Sequence, residues 1–136
     1  VVAPPWSYGS RTEDPTHRAA NPYPSMSLEE IRAFPLPAAA DDALLWLWTT
    51  NAHIEHAFGI ARGWGFEPKT ILTWAKETLG LGDWLRGKTE HCLLCVRGKP
   101  VVTLTNQTTI LQAPKGRQLF ARQKREGWVC LGAEVE

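Results

Sequence analysis

The sequence is short of several things, and each shortage narrows the possibilities. It has three cysteines and one methionine in 136 residues. An odd, small cysteine count does not build a disulfide scaffold, so reduced thiols in a cytosol-like compartment are expected. The net charge is only +1, which excludes a strongly polyanion-binding composition but leaves room for a local basic patch. No apolar run reaches the length of a membrane span, and Val1 opens no signal peptide. A cytoplasmic protein without membrane contact is the expectation. Internal repeats and low-complexity tracts are missing too. What remains is ordinary for one globular domain: 43% hydrophobic and 21% charged residues, with seven tryptophans and four phenylalanines.

The chain begins with Val1-Val2-Ala3-Pro4-Pro5-Trp6-Ser7-Tyr8-Gly9. Two β-branched residues read as the end of a buried strand. Two prolines then stop the ladder, leaving a rigid loop with aromatic faces and unpaired carbonyls. In an open α/β sheet the carboxyl end of a strand is where ligands bind. A long loop rich in Pro, Gly, Asn and Arg runs to Met26. Ser27-Leu28-Glu29-Glu30 is a capping box, which predicts a short helix to about Phe34. Ala43–Thr49 reads as a central strand buried on both faces, after which Thr50 and Asn51 are placed to cap a helix. That helix carries Ile54, Ala57, Phe58, Ala61 and Trp64 on one stripe and ends at Gly65. Further strands are expected over 70–74, 90–96 and 127–132, with a short one within 101–110. Strand and helix in alternation predict an α/β sheet with crossovers.

Several features invite a sharper reading than they support. Cys92 and Cys95 form a C-x-x-C beside His91. Residues three apart on a strand point to opposite faces, and structural zinc needs four convergent ligands, so buried thiols are expected and no metal site. His53 and His56 read as surface or packing residues. Lys115, Arg117, Arg122, Lys124 and Arg125 form a basic run that reads first as solvated surface and second as a phosphate contact; Arg11, His17 and Arg18 are an equal candidate. Asn106-Gln107-Thr108 matches a glycosylation pattern, which has no meaning in a protein that is not secreted.

Taken in order, the pieces resemble a known family. They are Pro4-Pro5-Trp6, Tyr23-Pro24-Ser25-Met26-Ser27, Leu45-Trp46-Leu47-Trp48-Thr49-Thr50-Asn51, Trp64-Gly65-Phe66, Trp74-Ala75-Lys76, Trp84-Leu85-Arg86 and Glu90-His91-Cys92-Leu93. Leu119-Phe120-Ala121-Arg122, Gly127-Trp128 and Gly132-Ala133-Glu134 complete the series. The chain is similar to the N6-adenine methyltransferases named after the seventy-kilodalton subunit of mRNA adenosine methyltransferase, and to the short bacterial or phage members above all. The resemblance implies a Rossmann-like sheet that binds S-adenosylmethionine and methylates adenine N6 of nucleic acid, DNA rather than RNA. It implies a single domain over 1–136, shortened at its N-terminus and around 116–118, and it allows a homo- or hetero-dimer partner.

The resemblance also distributes roles. Pro4, Pro5 and Trp6 take the catalytic loop. Tyr8, Tyr23, Met26, Trp74, Lys76 and Glu90 take the substrate side, although Trp74 alone reads first as core, and Glu90 equally as a solvated edge charge. Ala3, Phe120, Arg122, Ala133 and Glu134 take the cofactor side. Adenine N6 is a weak nucleophile because its lone pair is delocalised into the ring. Acceptors on both amino hydrogens help it attack, and in the family an Asp before the two prolines supplies the charged one. Here Ala3 stands in that place: either Ala replaces the Asp, or the Asp has been lost from the strand end. A second departure follows Lys115, where the family's Lys-Pro segment and helix are missing, Gln118 stands for Glu and Ala133 for Asn. The expected outcome is an impaired enzyme, the alternative a catalytically defective homologue that binds nucleic acid or a partner subunit.

Overall fold

A computed structural model of the chain describes residues 1–7, 25–36, 40–80, 82, 84–103 and 106–112. Tyr8, Tyr23, Phe120, Arg122, Ala133 and Glu134, the basic run from Lys115 and the strand expected over 127–132 lie outside the described residues. The elements are α1 (Leu28–Ala33), β1 (Ala43–Thr49), α2 (Ile54–Gly63), β2 (Glu67–Ala75), β3 (Thr89–Arg97) and β4 (Ile110–Gln112). They form a mixed α/β sheet in the order β1-β3-β2-β4. β3 runs antiparallel to both β1 and β2, so those two are parallel to each other and α2 is their crossover. β4 lies parallel to β2, and Val2 bridges Leu47 in parallel on the outer side of β1.

The capping box is formed as expected: the Ser27 hydroxyl accepts the Glu30 N–H, and the Glu30 carboxylate accepts the Ser27 N–H. The next helix starts differently. His53 is its N-cap and makes no side-chain cap, because Asn51 is engaged across the sheet instead. Its core stripe is centred on Ala57, Ile60 and Ala61, with Phe58 and Trp64 only partly buried. Ile60 is the position the sequence stripe left out.

β1 is an end strand of the four-stranded sheet, flanked among the described residues only by the Val2 bridge on its outer side, so the expected central placement is corrected, and equal burial on both faces with it. Leu45, Leu47 and Thr49 are buried and alternate with half-buried Leu44, Trp46 and Trp48. Leu45 and Leu47 pack with Ile31, Ile60, Leu93 and Cys95 in the main core. Both helices contribute to that core, so α1 and α2 cover the same face. β2 is longer than expected and starts at Glu67. Among the described residues of the stretch expected to hold a strand, only the last, Ile110, belongs to one. Gly98 follows β3 with φ +65, and a Cβ there would collide with the Asp42 carboxylate and the Asp41 carbonyl. The Asp42 carboxylate in turn accepts the Lys99 N–H at 2.8 Å. Among the described residues no helix is long and apolar enough to cross a membrane.

Candidate functional site

The topology collects one end of the sheet. The carboxyl ends of the Val2 segment, β1 and β2 meet the start of β3 there, because among the described strands β3 alone runs the other way. Pro4–Trp6, Thr49–His53, Thr73–Lys76 and Thr89–His91 therefore share that end.

The proline loop follows from a ladder that cannot continue. Val2 N–H donates to the Trp46 carbonyl at 2.8 Å, and Trp48 N–H donates to the Val2 carbonyl at 2.9 Å. The next donor in a parallel ladder would be residue 4, but Pro4 has no N–H. The Trp48 carbonyl instead accepts the indole N–H of Trp6 at 3.1 Å, so the side chain takes over where the main chain stops. Trp6 N–H turns back to the Pro4 carbonyl, and Met26 N–H donates to the Pro5 carbonyl, both at 2.9 Å. The expectation of unpaired carbonyls is thus corrected: both proline carbonyls accept a hydrogen bond, and among the described residues no second donor reaches either oxygen. Pro4, Pro5 and Trp6 are buried, with Trp6 5% exposed, and Ala3 is half-buried. One face of the Trp6 ring lies flat on His53, with centroids 5.2 Å apart and planes 12° from parallel.

Met26 is brought to this loop through its bridge with Trp6. Trp74, Lys76 and Glu90 form a second group. Trp74 faces Glu90 across β2 and β3. Lys76 Nζ is 2.8 Å from the Glu90 carboxylate and 5.2 Å from the Trp74 ring centroid. Both charged side chains are largely buried, so Glu90 is not a solvated edge charge. Trp74 is 2% exposed, which matches its reading as core.

A third group was not assembled from the sequence. His91 Nε2 lies 2.7 Å from Asn51 Oδ1, and its Nδ1 lies 3.0 Å from the Thr73 hydroxyl. Asn51 also donates to the Thr89 hydroxyl at 3.3 Å. Burial holds the His91 pKa below its ordinary value, against an opposing pull from Glu90. His53 is also held low, mainly by burial, while a hydrogen bond with the Ser7 backbone raises it and His56 lowers it. Both rings are therefore biased toward the neutral form. The only hint in the sequence was that Asn51 and His91 sit at strand ends; their meeting depends on β3 pairing with β1. The Thr50 hydroxyl, beside this group, is buried without a hydrogen-bond partner among the described residues.

Cys92 and Cys95 are buried on opposite faces of β3. Cys95 sits between Leu45 and Pro68, Cys92 between Trp48 and Leu72. Burial pushes the Cys92 thiol up to about 12 and the Cys95 thiol up to about 11. Thiols held protonated are poor metal ligands and weak nucleophiles.

Comparison with known proteins agrees with the order of these pieces. Residues 1–115 match the MT-A70 family. The Type II methyltransferase M.MunI of Mycoplasma sp is 25% identical over 174 aligned positions, covering 97% of this chain and 75% of the relative. The MT-A70-like N(6)-adenosine-methyltransferase of Drosophila melanogaster is 37% identical over 87 residues. The human N(6)-adenosine-methyltransferase catalytic subunit METTL3 is 32% identical over 87 residues. These last two alignments cover 58% of the chain but only 14% and 15% of the relatives, so the chain spans a small part of those proteins. The proline loop, the paired strands behind it and the match over 115 residues have one reading: the chain belongs to the MT-A70 family of N6-adenine methyltransferases.

Proposed function

We propose that the chain is an S-adenosylmethionine-dependent methyltransferase domain acting on adenine N6 of DNA, and that Ala3 makes it slow. The observation that carries the reading is the Pro4–Trp6 loop, held rigid at the carboxyl end of a parallel segment beside β1. The parallel crossovers from Val2 through α1 to β1, and from β1 through α2 to β2, support a Rossmann-like sheet. DNA is favoured because the match to M.MunI, a Type II methyltransferase, takes in 97% of the chain and 75% of that relative, whereas the adenosine methyltransferases are matched over only 14 to 21% of their own length. The end of the family match at residue 115, and an alignment to M.MunI with more positions than the chain has residues, support an internal shortening around 116–118.

When bound, S-adenosylmethionine supplies an electrophilic methyl group. The buried Thr50 hydroxyl, without a partner among the described residues, fits a polar ligand at this end of the sheet. Phe120, Arg122, Ala133 and Glu134 take the cofactor side in this reading. On the substrate side, the second lone pair of the Pro4 carbonyl, which no described residue uses, is the acceptor for one amino hydrogen of adenine. Trp6 holds the loop by its indole N–H, and one ring face is already used by His53. Lys76 and Glu90, paired with each other, border the substrate side with Trp74 and Met26, and the roles of Tyr8 and Tyr23 stay those that the family resemblance gives them. Ala3 offers no carboxylate for the second amino hydrogen, and charged acceptors are about twice as strong as neutral ones. Removing a group aimed at the transition state typically lowers the rate on the order of 10² to 10³.

The test is methyl incorporation into an adenine-containing DNA duplex, its single strands and the matching RNA. The Ala3→Asp chain is expected to exceed the unmodified chain by on the order of 10². Equal rates would refute the role given to the carboxylate. Nucleic-acid binding with no cofactor binding in either protein would favour the binding module.

A further inference from the structure

We propose that His53 and Asn51 are positioning residues for the Pro4–Trp6 loop, and that His91 and Thr73 anchor them across the sheet. Between β1 and α2 lies a turn closed by His53 N–H donating to the Thr50 carbonyl at 3.1 Å. Asn51 lies inside that turn, and its amide reaches over to β3, where it meets His91 at 2.7 Å and Thr89 at 3.3 Å. His91 passes the connection on to Thr73 of β2 at 3.0 Å. The last residue of the turn, His53, lies flat on Trp6 and hydrogen-bonds the Ser7 backbone. Three strands and the proline loop are thus joined through four side chains.

The proton arrangement is self-consistent. With the Asn51 amide oxygen facing the ring and its NH₂ donating to Thr89, His91 Nε2 carries the proton. Nδ1 then accepts from the Thr73 hydroxyl. Every partner is satisfied by a neutral ring; Asn51 is exposed while His91 and Thr73 are half-buried, and a fully satisfied network restrains what it connects. An unanchored turn could slide along β1, and His53 would slide with it. Trp6 would then lose the surface that sets its ring plane, and the Pro4 carbonyl is two residues away from that ring. In Rossmann-type sheets a displaced loop matters, because a misplacement of about 1 Å can lower turnover roughly 10²-fold.

The consequence for turnover rests on the methyltransferase reading above; the linkage itself does not. The experiment is therefore spectroscopic. The ring protons of Trp6 are assigned by NMR from a Trp6→Phe difference in the 136-residue chain. His53→Ala removes the stacked imidazole and is expected to move the Trp6 ring protons downfield by more than those of any other tryptophan. His53→Phe keeps a flat ring there and is expected to restore most of the shift. Asn51→Ala and Thr73→Val are expected to move the same Trp6 resonances in the same direction by a smaller amount. Thr73→Val is isosteric on a strand, so it keeps the fold if a larger change does not. Trp6 resonances unmoved in His53→Ala would overturn the positioning role. Resonances that respond to His53→Ala but to neither Asn51→Ala nor Thr73→Val would overturn the anchoring. A responsive Trp6 in a chain whose Ala3→Asp form transfers no methyl group would leave this linkage standing and count only against the proposed activity.

Discussion

Two tryptophans sit on loops at the same end of the sheet, and they could hardly be placed more differently. Trp6 is 5% exposed, donates its indole N–H to Trp48 and stacks on His53. Trp84, on the loop joining β2 to β3, is 99% exposed and has φ +64, a left-handed backbone that a bulky side chain adopts at a cost. Its neighbour Leu85 is 82% exposed. The residue type is the same and so is the address on the sheet. The difference is that Trp6 follows prolines that leave a strand carbonyl open, and Trp84 follows a strand whose own ladder is already filled. A tryptophan is thus used as a backbone substitute where the backbone has run out of donors.

That contrast can be broken by mutation. Trp6→Ala removes both the stacked ring and the donor to Trp48, and is expected to cost about 3 to 5 kcal/mol in urea unfolding. Trp84→Ala, with almost no buried area to lose, is expected to stay within about 0.5 kcal/mol. A similar cost for both would show that the two loops are not distinct in packing. Backbone comes next. Gly98 has nearly the same φ as Trp84 but sits against Asp41 and Asp42. Gly98→Ala is expected to lower stability by about 2 kcal/mol, from left-handed strain together with the collision. Trp84→Gly should raise it by less than about 1 kcal/mol, since relief of strain exceeds the added freedom of the unfolded chain.

The smallest effect is the pH dependence on the Trp6 side. His53 and His91 have folded pKa values below the ordinary 6.5. Between those depressed values and 6.5 the unfolded chain binds protons that the folded chain does not. Stability from these two groups is therefore full above that window and falls as the pH drops through it. Urea midpoints compared between about pH 7.5 and about pH 5.5 check the sign. His53→Phe removes one of the two titrating groups and should flatten the slope, and a midpoint that rises on acidification would contradict the assignment.

Much of this architecture was legible along the chain. The capping box at Ser27 and Glu30, the Ala43–Thr49 strand, the helix that ends before Gly65 and the opposite-facing cysteines all follow from spacing and from residues within one element. The proline stop was legible as well. The function of Asn51 was not: a cap was the local choice, and a partner 40 positions away won it instead. Lys76 and Glu90 were each visible as strand-end charges, but their pairing needed the β2–β3 register. The proline carbonyls read as open, because nothing local to the loop announces Met26 as a donor.

By itself the sequence determined where the chain is strand, helix or stop, because periodicity, caps and proline act within a few residues. It also determined the family, through the order of short pieces over 115 residues. Tertiary structure alone decided that β3 lies between β1 and β2, and that decision brought His91 to Asn51 and Thr73. It likewise decided that Trp6 is buried and Trp84 is not. Pairings across 42 positions depend on which groups are left unsatisfied once the strands have met, and no stretch of sequence read alone contains that sum.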